Sequence, residues 1–269
     1  PSRDQCLARL KSSREFDVLI IGGGSTGAGA ALDATTRGLN TACVERFDFG
    51  SGTSSRSTKL IWGGSRYLAN ALCSLFHQDF RLVRQPIHTR SFLLEQQPHL
   101  VKWIPIAVPF TQWFIWPPPF QGNPRERQGI VFMLFIFSSA MADSFHRKFP
   151  QMSVDSIKYC SVFYEGQFDD ARTNLAIALT AAREGASMCN YCEVTSLLKQ
   201  PGSPRVIGAV VRDTISGTET KVYAKSVLFC GGAYTDNLRR LESANDEKFV
   251  PAVMGASGTH IVVPSYFSP

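Results

Sequence analysis

The chain has 269 residues, 44% of them hydrophobic, which suits one large or two smaller domains with a full core and excludes a disordered chain. A net charge of +6 suits an anionic ligand or an anionic membrane face, and without a Lys/Arg run of the nucleic-acid kind no nucleic-acid partner is expected. Seven scattered cysteines, an odd count, fit free thiols in a reducing compartment better than a disulfide framework.

The sequence begins at Pro1 rather than Met, so any targeting peptide lies outside it. Pro1 to Glu15 is polar and reads as a surface lead-in. Val18 to Ile21 reads as a buried parallel strand, entering Gly22-x-Gly24-x-x-Gly27, with a helix from Ala28 to Thr36. Gly22 permits the tight turn. Gly24 lets a pyrophosphate approach the backbone, and Gly27 lets helix and strand pack closely. Backbone N–H groups at the helix mouth, around Ser25 and Thr26, then hold the phosphates together with the helix dipole. A second strand, Thr41 to Val44, ends in Glu45, where a carboxylate would accept adenosine ribose hydroxyls. An acid there disfavours a 2′-phosphate, so FAD or NAD is preferred to NADP.

Gly52 to Leu68 is rich in hydroxyls and glycines and is too long for a simple turn. Thr53, Ser54, Ser57, Lys59, Leu60, Gly63 and Gly64 are its candidates to line a cofactor; a surface loop is the alternative. Phe80 to Gln96 reads as a helix carrying Arg81, Arg84 and Arg90, and His99 beyond it reads as a surface or helix-end residue in preference to an active-site one. Lys102 to Phe120 holds three of the four tryptophans, and its prolines exclude a long helix. Ile130 to Phe137 is a second apolar run, well short of the roughly 20 residues that cross a bilayer. The aromatic segment 103–120, flanked by Lys102, Arg125 and Arg127, suits either shallow insertion at a lipid interface or the core of a substrate domain.

Asp169 or Asp170 reads as the N-cap of a helix over Thr173 to Glu184 that Gly185 ends. Ser187 to Leu197 reads as one strand, whose alternation would point Cys189 and Cys192 apart and leave no metal or redox pair. Val206 to Arg212 and Glu219 to Tyr223 form a hairpin through Ser216-Gly217. Lys225 to Cys230 is a separate buried strand that enters Gly231-Gly232, a second close approach to a cofactor. Thr235 or Asp236 would cap the next helix. Gly258 to Pro264 reads as a strand, with His260 either buried structurally or facing a substrate.

Residues 16–68 resemble FAD-dependent glycerol-3-phosphate dehydrogenases through Thr53-Ser-Ser, Lys59-Leu-Ile and Gly63-Gly-Ser-Arg-Tyr-Leu68. The mitochondrial type is the nearer match, through the runs Tyr164 to Arg183 and Tyr191 to Lys199. The likeness spans nearly the whole chain and is weakest from Phe114 to Lys158. It implies an α/β fold: a Rossmann-like FAD-binding domain of the glutathione-reductase type, from 1–92 and 159–250. Part of a second, mixed-sheet substrate and membrane-contact domain would come from 93–158 and 251–269. It also implies oxidation of sn-glycerol 3-phosphate to dihydroxyacetone phosphate, with electrons passing through FAD to ubiquinone at the mitochondrial inner membrane, held peripherally through 103–120. The resemblance places the Val194 backbone by the adenine, Arg66 on the substrate phosphate, Tyr67 in the substrate pocket and His260 as the base. A homodimer stays open.

Two positions depart from the family pattern. Trp62 stands where the family has His, and a tryptophan cannot shuttle a proton. Cys230-Gly-Gly-Ala233 stands where the family has Ala-Thr-Gly-Pro. The chain reads as an N-terminal fragment that stops before further substrate-binding segments. A glycerol-3-phosphate oxidase, another FAD-dependent oxidase and a non-catalytic flavin-binding remnant are the alternatives.

Overall fold

In the computed structural model, residues 1–12, 15–61, 88–110, 139–140, 159–243, 249–261 and 264 are described. The chain divides into two units: Pro1–Thr58 with Asp170–Ser257, and Lys59–Asp169 with Gly258–Pro269. The discontinuous arrangement read from the sequence sets its joints instead at 92/93, 158/159 and 250/251.

The first unit is built on a six-stranded sheet. Its strands are β1 (Phe16–Ile21), β2 (Thr41–Val44), β7 (Ser187–Cys189), β8 (Cys192–Lys199), β9 (Val206–Asp213) and β10 (Glu219–Phe229), in the order β7-β2-β1-β10-β9-β8. Strands β7, β2, β1 and β10 run parallel; β10, β9 and β8 are antiparallel neighbours. Leu19 and Ile21 enter one hydrophobic cluster while Ile20 enters the other. Ala42 and Val44 part from Cys43 in the same way. This alternation buries both faces of the parallel half, so short apolar runs without polar interruption are what the sequence must supply there. Leu19 and Ile20 are fully buried, and each contributes about 1.5–3 kcal/mol through lost water contact.

Helix α2 (Ser25–Thr36) and helix α3 (Asp170–Arg183) pack through small residues, with Ala28, Ala31, Ala178 and Ala181 in one cluster. The absence of bulk lets the helices approach closely. Helix α1 (Arg3–Lys11) corrects the expected surface lead-in. Ser2 and Gln5 form a capping box at its start, and Cys6 and Leu10, four residues apart, are buried in the core of the sheet's other cluster.

Three further expectations are corrected. Glu219–Tyr223 and Lys225–Cys230 are not two strands but one, β10. Residues 219–223 of it pair antiparallel with β9, and 224–229 pair largely with β1 in parallel. The single strand Ser187 to Leu197 is broken at Asn190 and Tyr191, where Tyr191 takes φ +53°. The break cancels the alternation argument, and both Cys189 and Cys192 face the same core cluster. They are free thiols, as are Cys6, Cys43 and Cys230, and among the described residues no cluster suited to a metal ion occurs. The last correction concerns helix α4 (Thr235–Glu242). Its N-cap is Tyr234, without a side-chain cap bond; Asp236 instead accepts the Ala252 and Val253 N–H groups and pairs with Arg239.

Arg3 ties α1 to the β9–β10 turn. Its guanidinium donates to Asp213 at 2.7 Å and to the Asn190 carbonyl. The Arg3 hydrogen bond, helped by donors from Ser216 and Ile215, outweighs burial and holds the Asp213 carboxyl well below the usual carboxylate range. A depressed folded-state pKa stabilises above the unfolded value, about 3.9, and that contribution is lost as pH falls through the folded value. Arg3→Met is therefore expected to lower stability at neutral pH and to flatten the acid limb below about pH 4. Urea melts across that range check it; an unchanged acid limb would refute the linkage.

In the second unit, β6 (Tyr159–Phe168) lies between β3 (Leu60–Ile61) and β4 (Val101–Phe110), and β5 (Ser139–Ala140) also pairs with β6. Each of these pairings is antiparallel. The first half of the aromatic segment is thus strand β4; residues 111–120 lie outside the described residues, as do Ile130 to Phe137. Pro105 and Pro109 fit in β4 because they share one side of a strand whose single described partner is β6. Residues 88–96 are helical, and Arg90 there pairs with Glu165 of β6 while its guanidinium lies 5.5 Å from the Trp103 ring centroid. Glu165 is almost fully buried. Of the strand expected over Gly258 to Pro264, residues 258–261 are not in a strand and join no described sheet, while 262 and 263 lie outside the described residues. A strand exists only in a ladder, so the alternating pattern there has no effect, and His260 is exposed rather than buried.

Candidate functional site

Strand β1 delivers the chain to Gly22, whose φ of +113° turns it toward α2. A Cβ on Gly22 would fall 2.3 Å from the Cys230 carbonyl oxygen, at the end of β10. The two parallel strands therefore end in loops that touch through bare backbone. Gly27, one turn into α2, packs on the Gly22 carbonyl so tightly that its own Cβ would come within 1.8 Å of that oxygen.

The cleft above these loops has a volume of about 550 Å³. Gly22, Gly24, Ser25, Thr26, Glu45, Thr53, Ser54, Val194, Gly231 and Gly232 line it, which brings together ten of the residues singled out in the sequence. Gly27 does not line the cleft; it stands behind it, where it sets the distance between helix and loop. The N-cap of α2 is Gly24, which has no side chain to offer the helix's first N–H groups. Ser54 lends its hydroxyl from 29 residues away, accepting the Ser25 N–H at 2.8 Å. The hydroxyl-rich run therefore does reach the helix mouth, through the short 3₁₀ turn Thr53–Ser55. A positive helix end with no acid in its first turn is suited to a diphosphate.

Glu45 follows β2 and is clamped by backbone. Its N–H donates to the Cys189 carbonyl, and its own carbonyl accepts the Cys192 N–H. The carboxylate accepts the Gly23 N–H at 2.6 Å and the Phe47 N–H at 2.9 Å. Two oxygens offer about four acceptor positions, so two remain for ribose hydroxyls. The break at Asn190–Tyr191, unpredicted, is what lets β7 and β8 grip Glu45 from both sides.

Several cleft-lining residues are not singled out by the sequence reading. The Arg46 guanidinium lies 4.6 Å from the Phe47 ring centroid and 4.7 Å from that of Tyr234. All three line the cleft. A base directly after the acid and an aromatic after Gly231-Gly232 were signals in plain view; only the fold shows that they meet. Asp170 accepts the Ser57 N–H and hydroxyl at 2.9 and 2.7 Å. Ser57 is thereby turned to the start of α3 and does not line the cleft. Lys59 and Leu60 belong to the second unit, where the Lys59 carbonyl accepts the Phe168 N–H and Leu60 pairs with Gln167; neither is among the cleft-lining residues. Gly63, Gly64, Arg66 and Tyr67, with Trp62, lie outside the described residues. His260 is exposed in the second unit, and His99 is exposed in a turn.

The comparisons agree with this architecture. The family model of FAD-dependent oxidoreductases matches residues 17–269. The mitochondrial glycerol-3-phosphate dehydrogenase of Mus musculus is 46% identical over 276 residues, covering all of this chain and 37% of the mouse protein. The Arabidopsis thaliana mitochondrial enzyme is 38% identical over the whole chain, which covers 44% of its length. The chain thus spans well under half the length of these curated relatives. Among solved structures, the glycerol-3-phosphate dehydrogenase of Bacillus halodurans, complexed with FAD, aligns with a TM-score of 0.67 at 29% identity, over 89% of this chain and 38% of that one. With that family model matching residues 17–269, the chain belongs to the FAD-dependent oxidoreductase family.

Proposed function

We propose that this chain supplies the FAD-binding part of an enzyme that oxidises sn-glycerol 3-phosphate to dihydroxyacetone phosphate and passes the electrons to ubiquinone. The observation that carries the reading is the cleft: a helix mouth with glycine at its N-cap, the Glu45 carboxylate and a glycine-bounded wall, in a chain 46% identical throughout to the mouse mitochondrial dehydrogenase. The residues fit the cofactor. Gly24, Ser25 and Thr26 would hold its diphosphate and Glu45 its ribose. The backbone of Val194 would meet the adenine, with Gly231 and Gly232 closing the wall and Thr53 and Ser54 adding hydroxyls. When bound, FAD supplies the acceptor for the hydride from C2 of the substrate.

The chain's own groups would do the rest. Arg66 binds the substrate phosphate as a bidentate donor. Tyr67 hydrogen-bonds in the substrate pocket, and His260 takes the hydroxyl proton. Peripheral contact with the mitochondrial inner membrane through 103–120, and a homodimer, belong to the same reading. Trp103, about half exposed on β4, supports the membrane contact. No described helix is long and apolar enough to cross a membrane.

The test is anaerobic titration of the FAD-loaded protein with sn-glycerol 3-phosphate. Bleaching of the flavin, reversed by a ubiquinone analogue without peroxide, is the expected result. Peroxide without quinone reduction would favour an oxidase. A bound flavin that does not bleach would favour a non-catalytic remnant, and failure to bind FAD would refute the proposal.

A further inference from the structure

The glycine loop is held from behind by a residue that the cleft does not contain. Asn174 lies on α3, 151 residues further along the chain than Gly23, and is 2% exposed. Its amide Nδ2 donates to the Gly23 carbonyl oxygen at 3.2 Å. The Gly50 N–H donates to the same oxygen at 3.1 Å. On the other side of the residue, the Gly23 N–H is held by Glu45. Gly50 leaves room for this arrangement: a Cβ there would come within 2.8 Å of the Asn174 Nδ2.

The consequence follows from the planarity of the peptide. In a trans peptide the carbonyl and the following N–H are antiparallel in one plane. With the Gly23 oxygen fixed toward α3, the Gly24 N–H is directed the opposite way, away from α3, and Gly24 is one of the residues that line the cleft. A second observation supports a purpose for the amide. The Oδ1 of Asn174 is buried with no hydrogen-bond partner. Leaving that acceptor unpaired costs about 1–3 kcal/mol, which an aliphatic side chain of similar size would avoid. The buried donor is what the position retains.

The geometry points to Asn174 as a positioning residue that aims the Gly24 N–H at a diphosphate. The inference rests on the FAD reading above and deepens it: recognition of the phosphate is set by a side chain that never touches the ligand.

Calorimetric titration of the whole chain with FAD, ADP and adenosine tests it, for the wild type, Asn174→Asp and Asn174→Ala. Asp keeps the shape and replaces the donor by an acceptor; Ala removes both. Affinity for FAD and ADP is expected to fall about tenfold in each variant, corresponding to about 1.4 kcal/mol, while affinity for adenosine, which has no phosphate, stays within about twofold of wild type. Equal losses for ADP and adenosine, unchanged ADP affinity, or unfolding of both variants would make Asn174 a packing residue and overturn the inference. A wild-type chain that binds neither FAD nor ADP would overturn the FAD reading itself, and the inference with it.

Discussion

Gly27→Ala is expected to lower the melting temperature of the first unit by about 6–12 °C and to abolish measurable FAD binding. The added methyl would sit 1.8 Å from the Gly22 carbonyl oxygen and 2.9 Å from its carbon. Both are backbone atoms, so no rotamer change relieves the clash. Either α2 moves off β1, or the turn at Gly22 opens. Overpacking of this kind costs about 1–3 kcal/mol when the surroundings can relax. Here they relax poorly, because Gly22 is itself pinned through its N–H to the Val44 carbonyl and lies against Cys230, so we take the upper end. The loss of binding follows from the same motion, since the helix mouth and the loop would separate. Thermal melts and quenching of flavin fluorescence measure the two effects; wild-type behaviour in both would mean that the loop is not held by this contact.

Arg90→Leu is expected to destabilise the second unit by about 3 kcal/mol. Breaking a buried ion pair from one side typically costs about 3–5 kcal/mol, mostly because the remaining charge is stranded. Glu165 is 2% exposed while the Arg90 side chain is 17% exposed, which places the effect at the lower end. The double replacement Arg90→Leu with Glu165→Leu should recover most of the loss, because no charge is then left behind. Hydrogen exchange should localise the change to β4 and β6, the strands on which Trp103 and Glu165 stand. A single replacement as harmless as the double one would show that water, rather than Arg90, stabilises the carboxylate.

The parts of this fold that the sequence announces are those where one short-range rule decides the outcome. Gly22-x-Gly24-x-x-Gly27 between an apolar run and an alanine-rich helix is such a case, and so is the hairpin at Ser216-Gly217. By chemistry alone, residues 60–61 and the hydroxyl run read as one cofactor-lining segment. The structure divides that group: Thr53 and Ser54 reach the cleft, whereas Ser57 is drawn to Asp170 by a bond across 113 positions. Helix α1 is not legible in the sequence because just two of its residues, Cys6 and Leu10, carry the buried stripe. Tyr191 at φ +53° gave no warning either, since β-branched or aromatic residues are rarely placed there. Asn174 could not be found from its own neighbourhood, because its partner is a backbone oxygen at the other end of the unit.

The central strand order has a temporal consequence. β1 is flanked by β2, which follows it closely, and by β10, which pairs Phe16 with Ala224. At a synthesis rate of about 5–20 residues per second, the nascent chain waits roughly 10–40 s between emerging β1 and emerging β10. Throughout that interval one flank of β1 presents an open row of amide and carbonyl groups, the kind of edge that recruits stray chains. The nucleotide cleft, lined by residues from both ends of this order, can take shape only after the wait is over, so flavin capture must follow translation of the closing hairpin.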